Sequence, residues 1–330
     1  MSAARHIIAL LKSHIEGDNS RFLTTALQLA AHEARQGHGK LATEVRDLID
    51  AAKSKGSAIE RIVAPVPMAQ PKGELASILA VRYPDVRLAD MVLPEALLSK
   101  LKRVIHEQRQ QEHLRAHGLR PSRKLLLVGP PGVGKTMTAA ALAGELKLPL
   151  FTVVLDGLIT KFMGDTAGKL RLVFDAMAST RGVYFFDEFD AIGSKRAEGN
   201  DVGEIRRVLN SFLQFLEQDD SQGLIIAATN HAELLDKALF RRFDDVIEYG
   251  LPDVALINRI FKNRLAAFDT KALVWDELSE AAMGLSPAEI VRAAENAAKS
   301  VLLAGGKSIV SSELVASIVE RRKASFLNAT

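Results

Sequence analysis

Four short stretches of this chain hold residue types suited to phosphate chemistry. The first is Gly129-Pro130-Pro131-Gly132-Val133-Gly134-Lys135-Thr136, a complete G-x-x-x-x-G-K-[ST] loop. The apolar run Leu125-Leu126-Leu127-Val128 leads into it, and helix formers from Met137 to Ala143 follow. A strand, a glycine loop and a helix N-terminus in that order aim backbone N–H groups at an anion. Lys135 adds a positive charge for the β- and γ-phosphates, and the Thr136 hydroxyl can ligate Mg²⁺. The second stretch is Val183-Tyr184-Phe185-Phe186-Asp187-Glu188, an apolar run ending in two acids. At a strand end opposite a phosphate loop, Asp187 can hold Mg²⁺ and Glu188 can polarise a water at the γ-phosphate. The third ends Leu224–Ala228 in Thr229-Asn230, whose amide can orient the same water. The fourth is Arg241-Arg242, planar cations that can stabilise charge on a transferring phosphoryl group, in cis or from a neighbour. Read singly, these are also a Gly/Pro turn, a helix-capping acid pair, a turn asparagine and a solvated basic turn. Their succession favours hydrolysis of a nucleoside triphosphate over mere binding.

The elements that must position these residues follow from the pattern. Strands are expected at Lys124–Val128, Leu150–Leu155, Val183–Phe186, Leu224–Ala228 and Asp245–Tyr249, with helices between. Short apolar strands alternating with helices imply a parallel sheet covered on both faces. A long amphipathic helix is expected from about Pro94 to His117. After Pro252 the strand signal ends, and helical stripes follow at about 253–267, 275–283, 286–303 and 311–323. Residues 1–54 read as three short amphipathic helices in a small bundle. The segment 55–84, with Pro65, Pro67, Pro71, Gly73 and Pro84, reads as a linker. The expected domains are therefore 1–54, a linker 55–84, an α/β unit 85–252 and a helical unit 253–330.

Composition narrows the class. The chain has 330 residues, 48% hydrophobic and 25% charged, as an ordinary globular protein does. The net charge of +3 permits contact with nucleic acid without arguing for it. There is no cysteine, hence no disulfide framework and no thiolate metal site. No segment approaches the roughly 18 apolar residues that cross a bilayer, and the simplest localisation is cytoplasmic. His113 and His117 stand at i, i+4, a metal-ligand spacing. No acid is fixed beside them, and solvated histidines are the favoured reading.

Taken in order, Pro130–Thr136, Phe186-Asp187-Glu188-Phe189-Asp190, Ala228-Thr229-Asn230 and Arg242-Phe243-Asp244 resemble the AAA ATPases, within the larger AAA+ group, over about residues 85–322. The resemblance implies a doubly wound αβα nucleotide domain with a helical lid, ATP and Mg²⁺ as cofactors, and a ring, usually of six, with ATP at subunit boundaries. Residue by residue it gives Pro131, Gly132, Val133, Gly134, Lys135, Thr136 and Met137 to the phosphates. It makes Thr136 and Asp187 the Mg²⁺ ligands, Glu188 the catalytic base, Asn230 the first sensor, and Arg241 and Arg242 the arginine-finger region. Asp90-Met91-Val92 matches the adenine-contacting segment. Gly284-Leu285-Ser286-Pro287-Ala288-Glu289-Ile290 matches the lid segment near the nucleotide, through Ala288. Lys161-Phe162-Met163 resembles the first pore loop, in which an aromatic grips a polypeptide, so the expected work is unfolding or threading proteins. Residues 1–54 would choose the substrate or dock an adaptor or a separate protease. A DNA-associated ATPase, a loader or transposition helper, is the alternative. Three departures stand out. The two arginines are adjacent rather than spaced, Glu217–Ser221 replaces the family's Asp-Gly-Phe element, and the arginine nearest the lid segment is Arg292.

Overall fold

The computed structural model describes residues 71–154, 163–189, 202–235 and 237–327, with seven isolated helical positions between 25 and 47. The expected bundle at 1–54 and the expected linker up to residue 70 lie outside them, apart from those seven. The chain divides into two units, Met1–Met68 and Ala69–Thr330, and the second holds every element below.

Six strands form one sheet: β1 Leu79–Arg82, β2 Lys124–Val128, β3 Leu150–Val153, β4 Val183–Phe186, β5 Leu224–Thr229 and β6 Asp245–Glu248, in the order β1-β3-β4-β5-β2-β6. Strands β2 to β6 pair in parallel, and β1 is antiparallel to β3. The parallel strands were legible because both of their faces are buried. Val183 and Phe185 of β4 point into one core and Tyr184 and Phe186 into the other, and β5 alternates likewise. Strand β1 corrects the linker expectation for 55–84. Leu79–Arg82 is a four-residue edge strand, only Leu79 of which is buried, so flanking Gly73 and Pro84 masked its short pattern.

Helices α1 (Glu95–Arg109) and α2 (Lys135–Leu146) cover one face; α3 (Met163–Ser179) and α4 (Val202–Gln218) cover the other. The helix expected over 94–117 breaks at Gln110 and resumes as one short piece at Gln111–Ala116. Helices α5 (Val254–Arg264), α6 (Trp275–Ala282), α7 (Pro287–Leu303) and α8 (Ser311–Leu327) build a third core of their own. The switch from strand to helix after Pro252 has a local cause. Asp253 caps α5, its carboxylate accepting from the Leu256 N–H at 2.8 Å.

Candidate functional site

In the sheet, β5 lies between β2 and β4, so the segments following these three parallel strands emerge side by side. These segments are the phosphate loop, Asp187-Glu188 and Asn230. Ligands bind at such strand ends in open α/β sheets. Gly134, the cap residue of α2, has φ +102°, and Gly132 has φ +79°, both in the region that favours glycine. Gly132 also lies too close to α7 for any side chain: a Cβ would fall 2.5 Å from Ser286 Oγ. The Gly132 carbonyl accepts from the Ala288 N–H at 3.0 Å, which joins the loop to the start of α7.

Lys135 is buried, and its Nζ donates to Gly129 O (2.6 Å), Pro130 O (2.9 Å) and Asn230 Oδ1 (2.7 Å). Asn230, expected to orient a water, thus touches the lysine expected to serve the phosphates. The Thr136 hydroxyl donates to Asp187 Oδ2 at 2.8 Å. A hydroxyl and a carboxylate oxygen set side by side at a helix N-terminus suit Mg²⁺, which takes few protein oxygens and completes its shell with phosphate and water. Glu188 is exposed and has φ +50°, a left-handed conformation unusual for a side chain of this length. Its neighbours impose it. Phe186 and Phe189 are fully buried, and the Phe189 N–H donates to Ala228 O at 2.8 Å, so the chain must turn sharply across the two residues between them, Asp187 and Glu188.

A cavity of about 910 Å³ joins these groups. Its walls include Asp90, Met91 and Val92, the loop from Pro131 to Met137, Asp187, Glu188, Asn230 and Ala288. The Asp90 carboxylate accepts from the Arg87 N–H at 2.8 Å, closing its own turn. Sequence reasoning missed Ile260, Asn263 and Arg264 of α5 and Val291 of α7, which also line it. Ile260 was visible only as part of a helical stripe, and nothing in the pattern marks Asn263 or Arg264. Arg264 is ion-paired to Glu295 across α5 and α7.

Other expected residues lie elsewhere. Arg241 and Arg242 are exposed and are not among the residues lining the cavity. Arg242 Nε meets Glu217 Oε1 of α4 at 2.5 Å. Both precede β6, at the end of the sheet away from the phosphate loop, since β6 runs parallel to β2. Four strand steps alone span on the order of 13 Å. Arg292 pairs with Glu289 at 3.1 Å and is likewise absent from the cavity wall. In the segment replacing Asp-Gly-Phe, Asp219 is buried against Arg123 at 2.9 Å. Lys161 and Phe162 lie outside the described residues, and Met163 opens α3. No described helix is long and apolar enough to cross a membrane.

Known proteins share this sequence pattern. The family model "ATPase family associated with various cellular activities (AAA)" matches residues 125–251. The uncharacterized AAA family ATPase y4kL of Sinorhizobium fredii is 36% identical over 298 residues, 89% of this chain and 88% of that protein. The ATP-dependent zinc metalloprotease FtsH 3 of Sphaerobacter thermophilus is 32% identical over 252 residues, 74% of this chain but 51% of that protein. The proteasome-activating nucleotidase of Sulfurisphaera tokodaii is 32% identical over 252 residues, 73% of this chain and 64% of that protein. With the phosphate loop, the acid pair and the asparagine gathered at one edge of a parallel sheet, these similarities show that the chain belongs to the AAA family and is an ATPase.

Proposed function

We propose that the chain works as a ring motor, six copies by the family resemblance, that unfolds or threads polypeptides. One observation carries the assembly: the cavity holds the phosphate loop, the acids and the asparagine, while Arg241-Arg242 stands exposed at the other end of the sheet. A second copy presenting its Arg241-Arg242 turn to the cavity mouth completes the charge, so turnover requires assembly. Within one site the loop amides and Lys135 hold the β- and γ-phosphates. Thr136 and Asp187 hold Mg²⁺, which when bound neutralises phosphate charge. Glu188 takes the proton of the attacking water, and Asn230 keeps the water and Lys135 in register. Asp90-Met91-Val92 and Ala288 face the base end. Helices α5 to α8 serve as a lid, tied to the loop by the Gly132–Ala288 bond.

The polypeptide substrate rests on Lys161-Phe162-Met163 as a pore grip. It is supported by the names of two relatives, a zinc metalloprotease and a proteasome-activating nucleotidase. Residues 1–54 then recruit the substrate, an adaptor or a separate protease. The test is the mass of Glu188→Gln with and without ATP. An ATP-dependent oligomer carrying trapped polypeptide is expected, and a monomer under both conditions would refute the shared site. Phe162→Ala should abolish unfolding of a tagged substrate while ATP hydrolysis continues; unchanged unfolding would refute the pore grip. DNA-stimulated, salt-sensitive turnover would favour the DNA-associated alternative.

A further inference from the structure

The phosphate loop is braced at both ends by one residue of β6's C-terminal edge. Tyr249 is 6% exposed, and its N–H donates to Val128 O at 2.7 Å. At the start of the loop, its backbone carbonyl and Cβ occupy the space beside Gly129: a Cβ there would fall 2.3 Å from Tyr249 O and 2.8 Å from Tyr249 Cβ. At the end of the loop, the Tyr249 hydroxyl lies 2.7 Å from Thr138 Oγ1, on the fully buried face of α2. The Thr138 hydroxyl in turn lies 3.0 Å from Gly134 O.

The direction of these bonds follows from proton count. A threonine hydroxyl has one hydrogen, and a carbonyl oxygen can only accept. Gly134 O also accepts from the Thr138 N–H at 2.8 Å; with the Thr138 hydroxyl donating to the same carbonyl and Tyr249 donating to Thr138, both buried hydroxyl hydrogens find a partner, which the reverse direction would deny to Tyr249. Met91 Sδ, at 4.0 Å from Thr138 Oγ1, is a longer and weaker alternative. Burial pushes the Tyr249 phenol up to about 12, so it stays protonated, and a donor, at any ordinary pH. The Gly134 carbonyl belongs to the same planar peptide as the Lys135 N–H, so whatever orients one orients the other. That N–H is the first amide of α2, pointing out of the helix N-terminus toward the phosphate site.

We propose that Tyr249 and Thr138 are positioning residues for phosphate binding, a two-hydroxyl relay that sets the Gly134–Lys135 peptide and so aims its N–H at the anion. The relay acts through the loop and touches no phosphate. It rests on the phosphate-binding role of the loop and is independent of what the ATPase acts upon.

The test uses the full chain and ATP itself. Tyr249→Phe keeps the ring and removes the donor. Half-saturating ATP should rise about fivefold, the effect of one neutral hydrogen bond, with kcat within about twofold of the parent. Thr138→Val should raise half-saturation at least as much, and Thr138→Ser should restore the parent value. The double variant Tyr249→Phe, Thr138→Val should be no worse than Thr138→Val alone, since both break the same relay. A lowered melting midpoint with unchanged half-saturation, in either single variant, would make the pair merely structural and overturn the proposal. So would a fall in kcat at constant half-saturation, or additive effects in the double variant. Should Tyr249→Phe fail to fold, the Thr138→Val and Thr138→Ser comparison decides the matter by the same readout.

Discussion

Alanine at Gly144 should destabilise this protein, against the ordinary helix rule. Gly144 lies inside α2, where alanine is normally favoured over glycine by about 1 kcal/mol. Here the chain before α1 crosses the helix. A Cβ on Gly144 would fall 2.2 Å from Val86 O and 2.9 Å from Pro84 O. Ordinary heavy-atom contact begins near about 3.5 Å, so the nearer carbonyl must retreat by more than about 1 Å. It cannot retreat freely. Arg87 Nη1 donates to Gly144 O at 2.7 Å, and Leu88 is buried in the α1–α2 core. Overpacking costs about 1–3 kcal/mol, and a 2.2 Å approach to a held backbone carbonyl belongs to the upper part of that range, about 2–3; subtracting the propensity gain of about 1 leaves a net loss of about 1–2 kcal/mol. For a domain of this size that lowers the melting midpoint by about 2–8 °C. The displaced segment continues into Asp90-Met91-Val92, so half-saturating ATP should rise as well. Gly168 on α3 is the control. Nothing lies within 4 Å of its would-be Cβ, so Gly168→Ala should gain about 0.5–1 kcal/mol. Denaturant melts of the two variants side by side decide the matter. Equal signs, or a Gly144→Ala variant as stable as the parent, would refute the reasoning.

Three further outcomes follow from the same structure. Asp219→Ala leaves the Arg123 guanidinium buried and unpaired beside Ser221, and should cost about 3–5 kcal/mol in urea melts; adding Arg123→Met should recover most of that loss. Lys147, exposed at the C-terminal cap of α2, has φ 54°, so Lys147→Gly should raise the melting midpoint through a gain of about 1 kcal/mol. Burial raises the pKa of both Tyr184 and Tyr249 above the usual 10.0, the latter to about 12. A raised folded pKa contributes stability that is whole below the unfolded value and is lost as pH rises through the folded one. The unfolding free energy from denaturant melts should therefore fall from about pH 10 upward, with a limiting slope of about 1.4 kcal/mol per pH unit for each tyrosine. Tyr184→Phe should lessen that slope.

The sequence alone determined the parallel sheet and the identity of the phosphate loop. Both are local in origin: Leu125–Val128 and Val183–Phe186 are continuously apolar because both sheet faces are covered, and the loop residues lie within eight positions of one another. It also pointed to residues of distant segments: Asp187, Glu188 and Asn230 as polar ends of apolar strand runs, and Asp90–Val92 only through the family order of motifs. Strand β1 escaped notice because an edge strand buries little and four residues hold too short a period. Other features were decided only when the chain folded. The left-handed turn at Glu188 is imposed by Phe186 and Phe189, whose burial has no signature at residue 188 itself. In the sequence Arg241-Arg242 can serve in cis or from a neighbour, and parallel pairing of β6 with β2 puts it at the far end of the sheet from its own chain's cavity. Asp219, which in the sequence reads as a missing element, is the buried partner of Arg123. Tyr249 and Thr138 are 111 positions apart, and in a list of residues each is an ordinary hydroxyl. Side chains acquire these meanings from what tertiary packing sets against them, and a one-dimensional pattern records spacing without recording contact.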